Sequence, residues 1–393
     1  MRSWIKLYER PKAVREIREI WLSEAVAARV EASGLGILRE CFTIGLDDNL
    51  LSAFIERWHP DTNTFHMPFG EISIMLHDVQ HILGIPVSGE RVHVDGLAEA
   101  DDSGLRGKIA RFYGVYLSDV VPSRYKNGGL LTSDLRNVVY LGNEHDSLRA
   151  YLLILLGHTL FMDKSVRIAS RRDSTGVSGC LPLLQAWIYE YFPRFQPGGG
   201  FFFEDRPLVE AWASLPRAKG DSHTFQMYRH SLDDLRSEHV RWLPYGNRPQ
   251  GACRVSLYSG FIRHLDIVEP YQPDRCMRQF GYIQAIPLPM PIPIVESRAA
   301  NGNYRLDFGQ EPDKTWGSEN SITPLRKLSR KAYMLFEYGD GYMTWYAEIS
   351  HPYLYPPSHR LHFRSVEFHE EPEVALALSR KFKNVFQQTS EEA

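Results

Sequence analysis

A tight turn between two β-prone runs constrains this chain more than any other stretch, because it joins the two runs at close range. The runs are residues 64–66, Thr-Phe-His, and residues 71–74, Glu-Ile-Ser-Ile. Between them lies Met67–Gly70, whose Pro68 and Gly70 are the residue types that a tight turn requires. The segment therefore predicts a β-hairpin.

A short helix is predicted directly after this hairpin. Apolar residues at helical spacing favour a helix over residues 76–83. Gly84 is placed to cap it and Pro86 to prevent its continuation. A short helix with this ending is also similar to the first half of a helix-turn-helix, which leaves DNA contact open as an alternative to a folding nucleus around Trp58 and Phe65.

Further helices are predicted on both sides of this unit. Residues 14–31 and 50–58 have amphipathic patterns, and Asp47 and Asp48 are possible N-caps of the second. Residues 149–164 predict a strongly apolar helix. The predicted fold class is mainly α (α+β), a single helical domain with a few short β-hairpins.

The remaining patterned segments are extended or irregular. Residues 90–107 are polar and predict a loop, and residues 257–267 alternate enough to predict a strand. Residues 287–293, Pro-Leu-Pro-Met-Pro-Ile-Pro, predict a polyproline-like connector, and the tail after about residue 381 is polar and expected to fray.

Composition indicates a soluble intracellular protein with a large core. Of 393 residues, 43% are hydrophobic, and the net charge of −3 shows no basic excess that would indicate nucleic acid binding. The four cysteines form no C-x-x-C pair, which suits a reducing compartment. The charged N-terminus is not typical of a signal peptide, and the apolar residues 150–162 are too few to span a membrane.

Two short patterns superficially indicate metal chemistry. His77 and His81 have i, i+4 spacing on the predicted helix, but no Glu general base lies between them, so we expect solvent-exposed histidines. Residues 141–146, Leu-Gly-Asn-Glu-His-Asp, are similar to a metallophosphatase element, but the other ligand motifs are missing. A helix start led by Asn143 or Asp146 explains this segment better.

No catalytic, cofactor-binding or metal-ligating residue is predicted. Lys164 lacks the phosphate-binding loop expected around a Schiff-base lysine and is better explained as a partner of a helix C-terminus. Ser259-Gly260 lacks the context of a nucleophile elbow.

Arginine clusters suggest binding of phosphates or of carboxylates on a partner. The candidates are Arg167, Arg171, Arg172, Arg263, Arg275 and Arg278. Internal salt bridges with Asp266, Glu269 and Asp274 are the alternative, and for Arg278 we favour a structural role.

The block from Glu56 to Gly89 resembles the signature of a known family, the plant mobile domain (aminotransferase-like plant mobile domain) proteins. The residues of this block on which we base the resemblance include Glu56, Arg57, Trp58, Thr64, Phe65, His66, Pro68, Gly70, Glu71, Asp78 and Gly84. Later motifs of the family are similar at Trp242, Pro244, Tyr245, Arg275, Arg278, Gln279, Phe280, Gly281, His351 and Pro352. These are our predicted structural or binding residues.

The resemblance has one gap. In the family, a long helical insert follows the helix that residues 149–164 match, whereas here the pattern resumes almost directly after residues 165–172. Either the fold closes differently or the sequence is that of a spliced or truncated gene model. The expected organisation is an N-terminal helical extension (1–29), a shortened plant mobile domain (30–365) and a C-terminal helix with a polar tail (366–393).

The resemblance implies a function that no single motif provides. It implies a non-enzymatic plant nuclear protein, similar to the maintenance-of-meristems group, that acts as an interaction scaffold in transposon silencing, gene-expression control and genome stability. Its implied protein partner is phosphoprotein-phosphatase-like, and no membrane or small-molecule substrate is expected. The alternative is a transposon-derived DNA-binding module, and an enzyme is the third candidate.

Overall fold

A computed structural model describes most of the family-like region. The residues it describes are 6–7, 17, 19–41, 45–59, 62–87, 132–160, 176–177, 179–198, 206–212, 222–246, 255–264, 267–289, 297–298, 304–305, 332 and 337–350. The predictions for residues 90–107, Lys164, Arg167, Arg171, Arg172, His351, Pro352, residues 290–293 and the C-terminal tail lie outside this part of the chain.

Helices dominate the described residues, which confirms the mainly α prediction. The α-helices are α1 Glu24–Ala32, α2 Leu38–Cys41, α3 Asp48–Ile55, α4 Leu76–Leu83, α5 Thr132–Leu141, α6 Glu144–Thr159, α7 Leu181–Tyr191, α8 Ser222–Asp233 and α9 Tyr342–Ile349. Shorter 3-10 segments cover Pro193–Phe195, Leu208–Trp212, Ser237–His239 and Pro273–Phe280.

The strands are short and form small sheets. They are β1 Lys6–Leu7, β2 Trp58–His59, β3 Thr64–Met67, β4 Gly70–Ile72, β5 Gly176–Val177, β6 Gly260–His264, β7 Ile267–Tyr271, β8 Ser297–Arg298 and β9 Tyr304–Arg305. Strands β2, β3 and β4 form one antiparallel sheet in that order. A second antiparallel sheet has the order β6-β7-β9-β8, and β1 pairs with β5 in parallel.

The predicted hairpin and helix are confirmed. Strands β3 and β4 pair antiparallel with Phe65 opposite Ile72 and Met67 opposite Gly70. Helix α4 covers the predicted residues 76–83, and Gly84 ends it with φ 69° in the left-handed region, which an L side chain rarely adopts.

Two predicted helices have different limits. The helix predicted over residues 14–31 is interrupted. Ile17 is helical and residues 20–23 are not. Helix α1 begins after Ser23, whose hydroxyl accepts a hydrogen bond from the Val26 N–H and so caps the helix there. Helix α3 ends at Ile55, so Trp58, predicted as its last residue, lies in strand β2 instead.

Two later segments also differ from prediction. Residues 257–267 were predicted as one strand, but the structure has an antiparallel pair, β6 and β7, because the second run pairs back onto the first. The apolar helix predicted from residue 149 begins earlier, at Glu144, because the Asn143 side chain accepts from the N–H groups of His145 and Asp146 at 3.0 Å each. This confirms Asn143 as a helix cap.

Aromatic rings join the hairpin to helix α7 in the core. Phe65 stacks on Trp187 with centroids 5.4 Å apart, and Phe54 packs edge-on against Phe192 at 5.1 Å. Trp58, which is half-buried, covers Phe65 at 4.9 Å. Edge-to-face and offset ring pairs add stability beyond the buried area, so these contacts hold the hairpin against the helices.

Replacing Asp47 by alanine is expected to lower the free energy of unfolding by about 1–2 kcal/mol. Its Oδ1 caps α3 by accepting from the N–H groups of Asn49 and Leu50, and its Oδ2 accepts from the Tyr228 hydroxyl at 2.6 Å. Urea unfolding followed by circular dichroism measures the loss. Asp47→Ser keeps a capping oxygen but not the reach to Tyr228, so it should fall between wild type and alanine. Equal stability of all three proteins would contradict this role.

Candidate functional site

The Glu71 carboxylate is the centre of a polar cluster made by the hairpin and the C-terminal half. Its Oε1 accepts hydrogen bonds from Arg275 Nη1 and Thr64 Oγ1, both at 2.8 Å. His66 Nε2 lies 3.6 Å from the same oxygen. Tyr342 Oη accepts from the Glu71 backbone N–H at 3.3 Å. Glu71 on β4 is therefore held by residues of β3, of the 3-10 segment Pro273–Phe280 and of α9.

These contacts set the charge of Glu71. Burial of Glu71 opposes ionisation, but hydrogen bonding to His66 and Thr64 and the charge of Arg275 outweigh it, so the pKa of this carboxyl is lowered. Glu71 remains ionised, paired with a guanidinium that is itself 15% exposed. Its second oxygen, Oε2, is buried with no protein hydrogen-bond partner.

Aromatic groups enclose the His66 side of this cluster. The His59 and His66 rings stack with centroids 3.8 Å apart, and the Tyr346 ring lies edge-on to His66 at 5.6 Å. The Tyr346 hydroxyl donates to the Met67 carbonyl at 2.9 Å. Helix α9 thus closes over the hairpin through its tyrosines.

Arg278 binds the turn of the hairpin. Its Nη2 donates to the Phe69 carbonyl at 2.7 Å, and its Nη1 donates to Ser237 Oγ at 3.0 Å and to Tyr338 Oη at 2.9 Å. The guanidinium lies 4.0 Å from the centroid of the buried Trp242 ring. The cation–π contact and the three hydrogen bonds together explain how an arginine that is 1% exposed is tolerated.

The neighbouring Gln279 pairs with the backbone of the residue beyond β4. Its Oε1 accepts from the Ser73 N–H at 3.0 Å, and its Nε2 donates to the Ser73 carbonyl at 2.8 Å. The amide therefore satisfies a backbone donor and acceptor that would otherwise be buried without partners. Gly281 follows in the left-handed region, with φ 77°, and ends the 3-10 segment.

The two described candidate arginine side chains, Arg275 and Arg278, have partners within the chain. Both lie in the 3-10 segment Pro273–Phe280, where Cys276 between them has non-helical φ and ψ, so the segment is kinked. Arg275 pairs with Glu71 rather than with Asp274. The Arg263 side chain lies outside the described part of the chain.

A second buried ion pair joins α3 to α8. Arg229 donates to both oxygens of Glu56, from Nε at 2.6 Å and from Nη2 at 2.5 Å. The adjacent Arg57 pairs with Asp233, one turn further along α8. Burial raises the pKa of Glu56, and the hydrogen bond and charge of Arg229 only partly offset this.

A third cluster surrounds Asp78 on helix α4. Its Oδ1 accepts from the hydroxyls of Tyr191 at 2.8 Å and Tyr245 at 2.7 Å, and its Oδ2 accepts from the Met75 N–H at 2.6 Å. Burial and the nearby Asp78 charge raise the pKa of both tyrosines well above 10.0, so their hydroxyls stay protonated and donate. Asp78 thus ties α4 to α7 and to the segment after α8.

The prediction that His77 and His81 are solvent-exposed is wrong. His77 is 2% exposed and His81 is 8% exposed. The Tyr245 ring accounts for the burial of both histidines, because it stacks on His81 at 4.5 Å and lies edge-on to His77 at 5.8 Å. Phe280 covers the other side of His77 at 4.7 Å. Periodicity placed these residues on α4 correctly but could not show which distant rings would cover them.

Acid is expected to destabilise the protein through His77. Burial lowers the pKa of His77 from 6.5, although Asp78 opposes this, and the facing Tyr191 and Tyr245 hydroxyls and the nearby His81 carry no compensating negative charge. As the pH falls below about 6.5, the unfolded chain binds up to one more proton than the native state until native His77 is protonated as well. Over that range, stability decreases by up to about 1.4 kcal/mol per pH unit.

Urea unfolding between about pH 8 and pH 5 measures this dependence. His77→Gln should flatten the acid side of the stability profile, whereas His230→Gln, on the exposed face of α8, should leave it unchanged. Equal slopes for the two variants would contradict the assignment to His77.

Sequence reasoning missed the partners of the motif residues. Arg229, Asp233, Tyr338, Tyr342 and Tyr346 supply partners to the hairpin and α3, yet none was predicted as a site residue. The sequence holds one weak signal for them, since 14 of the 20 tyrosines lie after residue 185. Among the described tryptophans of the motifs, Trp187 and Trp242 are buried, whereas Trp58 and Trp345 are half-buried.

The chemistry of these clusters is mainly mutual pairing. Carboxylates meet guanidinium and phenol groups, and each motif side chain described above contacts another part of the same chain. In the described ranges, no group of three or more His, Cys, Asp or Glu side chains is arranged to hold a metal ion. Among the described helices, none is long and apolar enough to cross a membrane.

The chain is similar to known plant proteins over most of its length. The chain is 27% identical to Protein MAINTENANCE OF MERISTEMS of Arabidopsis thaliana, over 85% of this chain and 76% of that protein. It is 27% identical to Protein MAIN-LIKE 1 of the same plant, over 83% and 71%. It is 26% identical to the Serine/threonine-protein phosphatase 7 long form homolog, over 88% of this chain but only 30% of that protein. No solved structure matches the chain.

The plant mobile domain family matches in two segments, residues 34–172 and 166–347. They meet at residues 166–172, where the sequence departs from the family pattern. The buried pairs described above, such as Glu56 with Arg229 and Glu71 with Arg275, each join one matched segment to the other. Together the segments span most of the sequence, and the chain therefore belongs to the plant mobile domain family.

Proposed function

We propose that this protein acts as a non-enzymatic interaction scaffold in the plant nucleus, in transposon silencing, gene-expression control and genome stability. The proposal rests first on its similarity to proteins named for meristem maintenance, which extends over most of the chain. It is carried by one structural observation. The charged residues of the family motifs are buried and paired with each other, as Glu56 with Arg229 and Glu71 with Arg275.

This pairing favours a scaffold over an enzyme. A catalytic carboxylate or histidine must face its substrate to transfer a proton or form a bond. Here Asp78 is held by two tyrosine hydroxyls, and His77 is enclosed by Tyr245 and Phe280. The polar motif residues therefore serve to build a rigid domain, and its outer surface is left for binding.

The proposed partner is a phosphoprotein-phosphatase-like protein. Support comes from the relative named as a phosphatase 7 long form homolog, of which the matching region makes up 30%. A region similar to this chain thus occurs within a larger protein that bears a phosphatase name. Regions joined in one chain are held at high effective concentration, so the corresponding separate proteins are reasonable binding partners.

The burial of helix α4 and the net charge favour a protein partner over DNA. The first helix of a helix-turn-helix crosses the DNA backbone and needs exposed side chains to contact it, but every residue of α4 is buried or half-buried. The overall net charge of −3 also gives no general attraction to phosphates.

A binding experiment separates the two functions. The purified chain is immobilised and offered a purified phosphatase of this class, an unrelated acidic protein and duplex DNA at several salt concentrations. Scaffold function predicts retention of the phosphatase with little salt dependence and no retention of DNA. Retention of duplex DNA that falls roughly a thousandfold between about 50 and 200 mM salt would instead establish the DNA-binding alternative. Retention of neither ligand would refute the proposed partner.

A further inference from the structure

The described contacts divide the domain into two complementary parts. We call residues 45–59 and 62–87 the hairpin unit and the described residues from 179 to 350 the C-terminal part. Between them along the chain lie α5, α6 and residues 161–175, which include the place where the two family matches meet. The contacts that join the two parts are called the seam below.

Charge is distributed unevenly across the seam. The hairpin unit supplies Asp47, Glu56, Glu71 and Asp78, and the C-terminal part supplies their partners, which are Tyr228, Arg229, Arg275, Tyr191 and Tyr245. Arg57 with Asp233 is the reverse case. Acids on one side and donors on the other make the two surfaces electrostatically complementary.

Backbone groups of the hairpin unit are also satisfied across the seam. Gln279 pairs with both the N–H and the carbonyl of Ser73, and Arg278 and Tyr338 both donate to the Phe69 carbonyl. The Asp47 N–H of the hairpin unit likewise donates to Gln185 Oε1 of the C-terminal part at 2.7 Å. A seam closed in the wrong register would leave these groups buried without hydrogen bonds, at a cost of about 1–3 kcal/mol each.

Both parts of the domain also contribute aromatic rings to the seam. Phe65 of the hairpin unit packs on Trp187 of α7, and Phe54 packs on Phe192, the residue directly after α7. Phe69 packs edge-on against Trp242 at 5.5 Å. An interface with an apolar centre and specific polar pairs resembles that of an obligate complex. All six rings are buried in the folded domain.

We propose that the seam is a docking interface that can form between two polypeptides, so that the N-terminal segment of one copy of this chain can bind the C-terminal part of a second copy. The polar pairs determine the register, because any displacement would leave Glu56, Glu71 or Asp78 buried without its partner. Covalent continuity through residues 161–175 is then dispensable for the assembled domain.

The test uses the full chain, with a protease recognition sequence inserted after residue 168. After folding, the chain is cleaved and examined by size-exclusion chromatography. The two fragments are expected to elute together at the volume of the intact protein. When cleaved protein is unfolded and refolded with an excess of a tagged cleaved copy, tagged N-terminal fragment should co-purify with untagged C-terminal fragment. Separation of the fragments without denaturant would overturn the proposal, as would loss of folding on insertion alone.

Two matched variants show whether the seam holds the fragments. Arg275→Met removes the partner of Glu71 across the seam, whereas Arg206→Met removes an exposed arginine whose partner Glu210 lies in the same segment. Cleaved Arg275→Met should dissociate at about hundredfold higher protein concentration than cleaved wild type, and cleaved Arg206→Met should match wild type. Equal dissociation of both variants would show that the fragments associate without the seam.

Discussion

Replacing Arg229 by methionine is expected to destabilise the protein by about 3–5 kcal/mol. The substitution leaves Glu56, which is 0% exposed, without the guanidinium that contacts both of its oxygens. The buried carboxylate must then either remain charged without a partner or take up a proton. Either result costs more than the loss of a surface ion pair, and urea unfolding monitored by tryptophan fluorescence would measure it.

A double variant distinguishes the stability lost through the unpaired charge of Glu56 from the stability lost through poorer packing. Glu56→Met with Arg229→Met removes both charges and keeps similar volume, so most of the lost stability should return.

The effect of the single variant should also depend on pH. With Arg229 absent, the already raised pKa of Glu56 rises further, so native protein binds more protons than unfolded protein above about pH 4.5. The loss of unfolding free energy in Arg229→Met relative to wild type should therefore grow as the pH rises from about 5 to about 7. A double variant as unstable as the single variant would contradict this account.

Local signals account for the parts of the fold that the sequence predicted. The hairpin, helix α4 and the Asn143 cap each depend on residues within a few positions of each other. Pro68 and Gly70 favour the turn, and Gly84 adopts the left-handed conformation that ends α4. Such signals act through backbone preference and apolar spacing, which can be recognised in one sequence.

The partners across the seam could not be predicted in the same way. Arg229 lies 173 residues from Glu56, and Gln279 lies 206 residues from Ser73. Nothing in local propensity determines which arginine approaches which carboxylate. The same limitation explains the error at His77, because a polar residue on an amphipathic helix is exposed only if no other element covers it.

Buried polar residues also explain why the family motif did not reveal a catalytic site. Considered only as a list of residue types, a motif rich in Glu, Arg, His and Asp resembles a catalytic site. In the structure, the same residues satisfy one another, as Asp78 does with Tyr191 and Tyr245. Buried charges require partners, and this requirement accounts for the pairing of the Glu, Arg and Asp residues of the motif.

The second large effect is expected at Gly70, where the hairpin turns beneath two buried side chains. Gly70 has φ 113°, and a Cβ atom there would lie 2.8 Å from Arg278 Nη2 and 2.9 Å from Tyr342 Oη. Gly70→Ala therefore combines backbone strain of about 1–3 kcal/mol with overpacking of about 1–3 kcal/mol. It also displaces the guanidinium that binds the Phe69 carbonyl.

Gly157→Ala is the matched control for Gly70→Ala, because Gly157 lies within α6 and a Cβ atom there would meet nothing within 4 Å. Alanine in a helix interior is favoured over glycine by about 0.5–1 kcal/mol, so this variant should be slightly more stable than wild type. The midpoints of thermal and urea unfolding should therefore fall for Gly70→Ala and rise slightly for Gly157→Ala, although both variants add one methyl group. If Gly70→Ala is as stable as wild type, the turn can move away from Arg278 and Tyr342, and the seam is more adaptable than its contacts indicate.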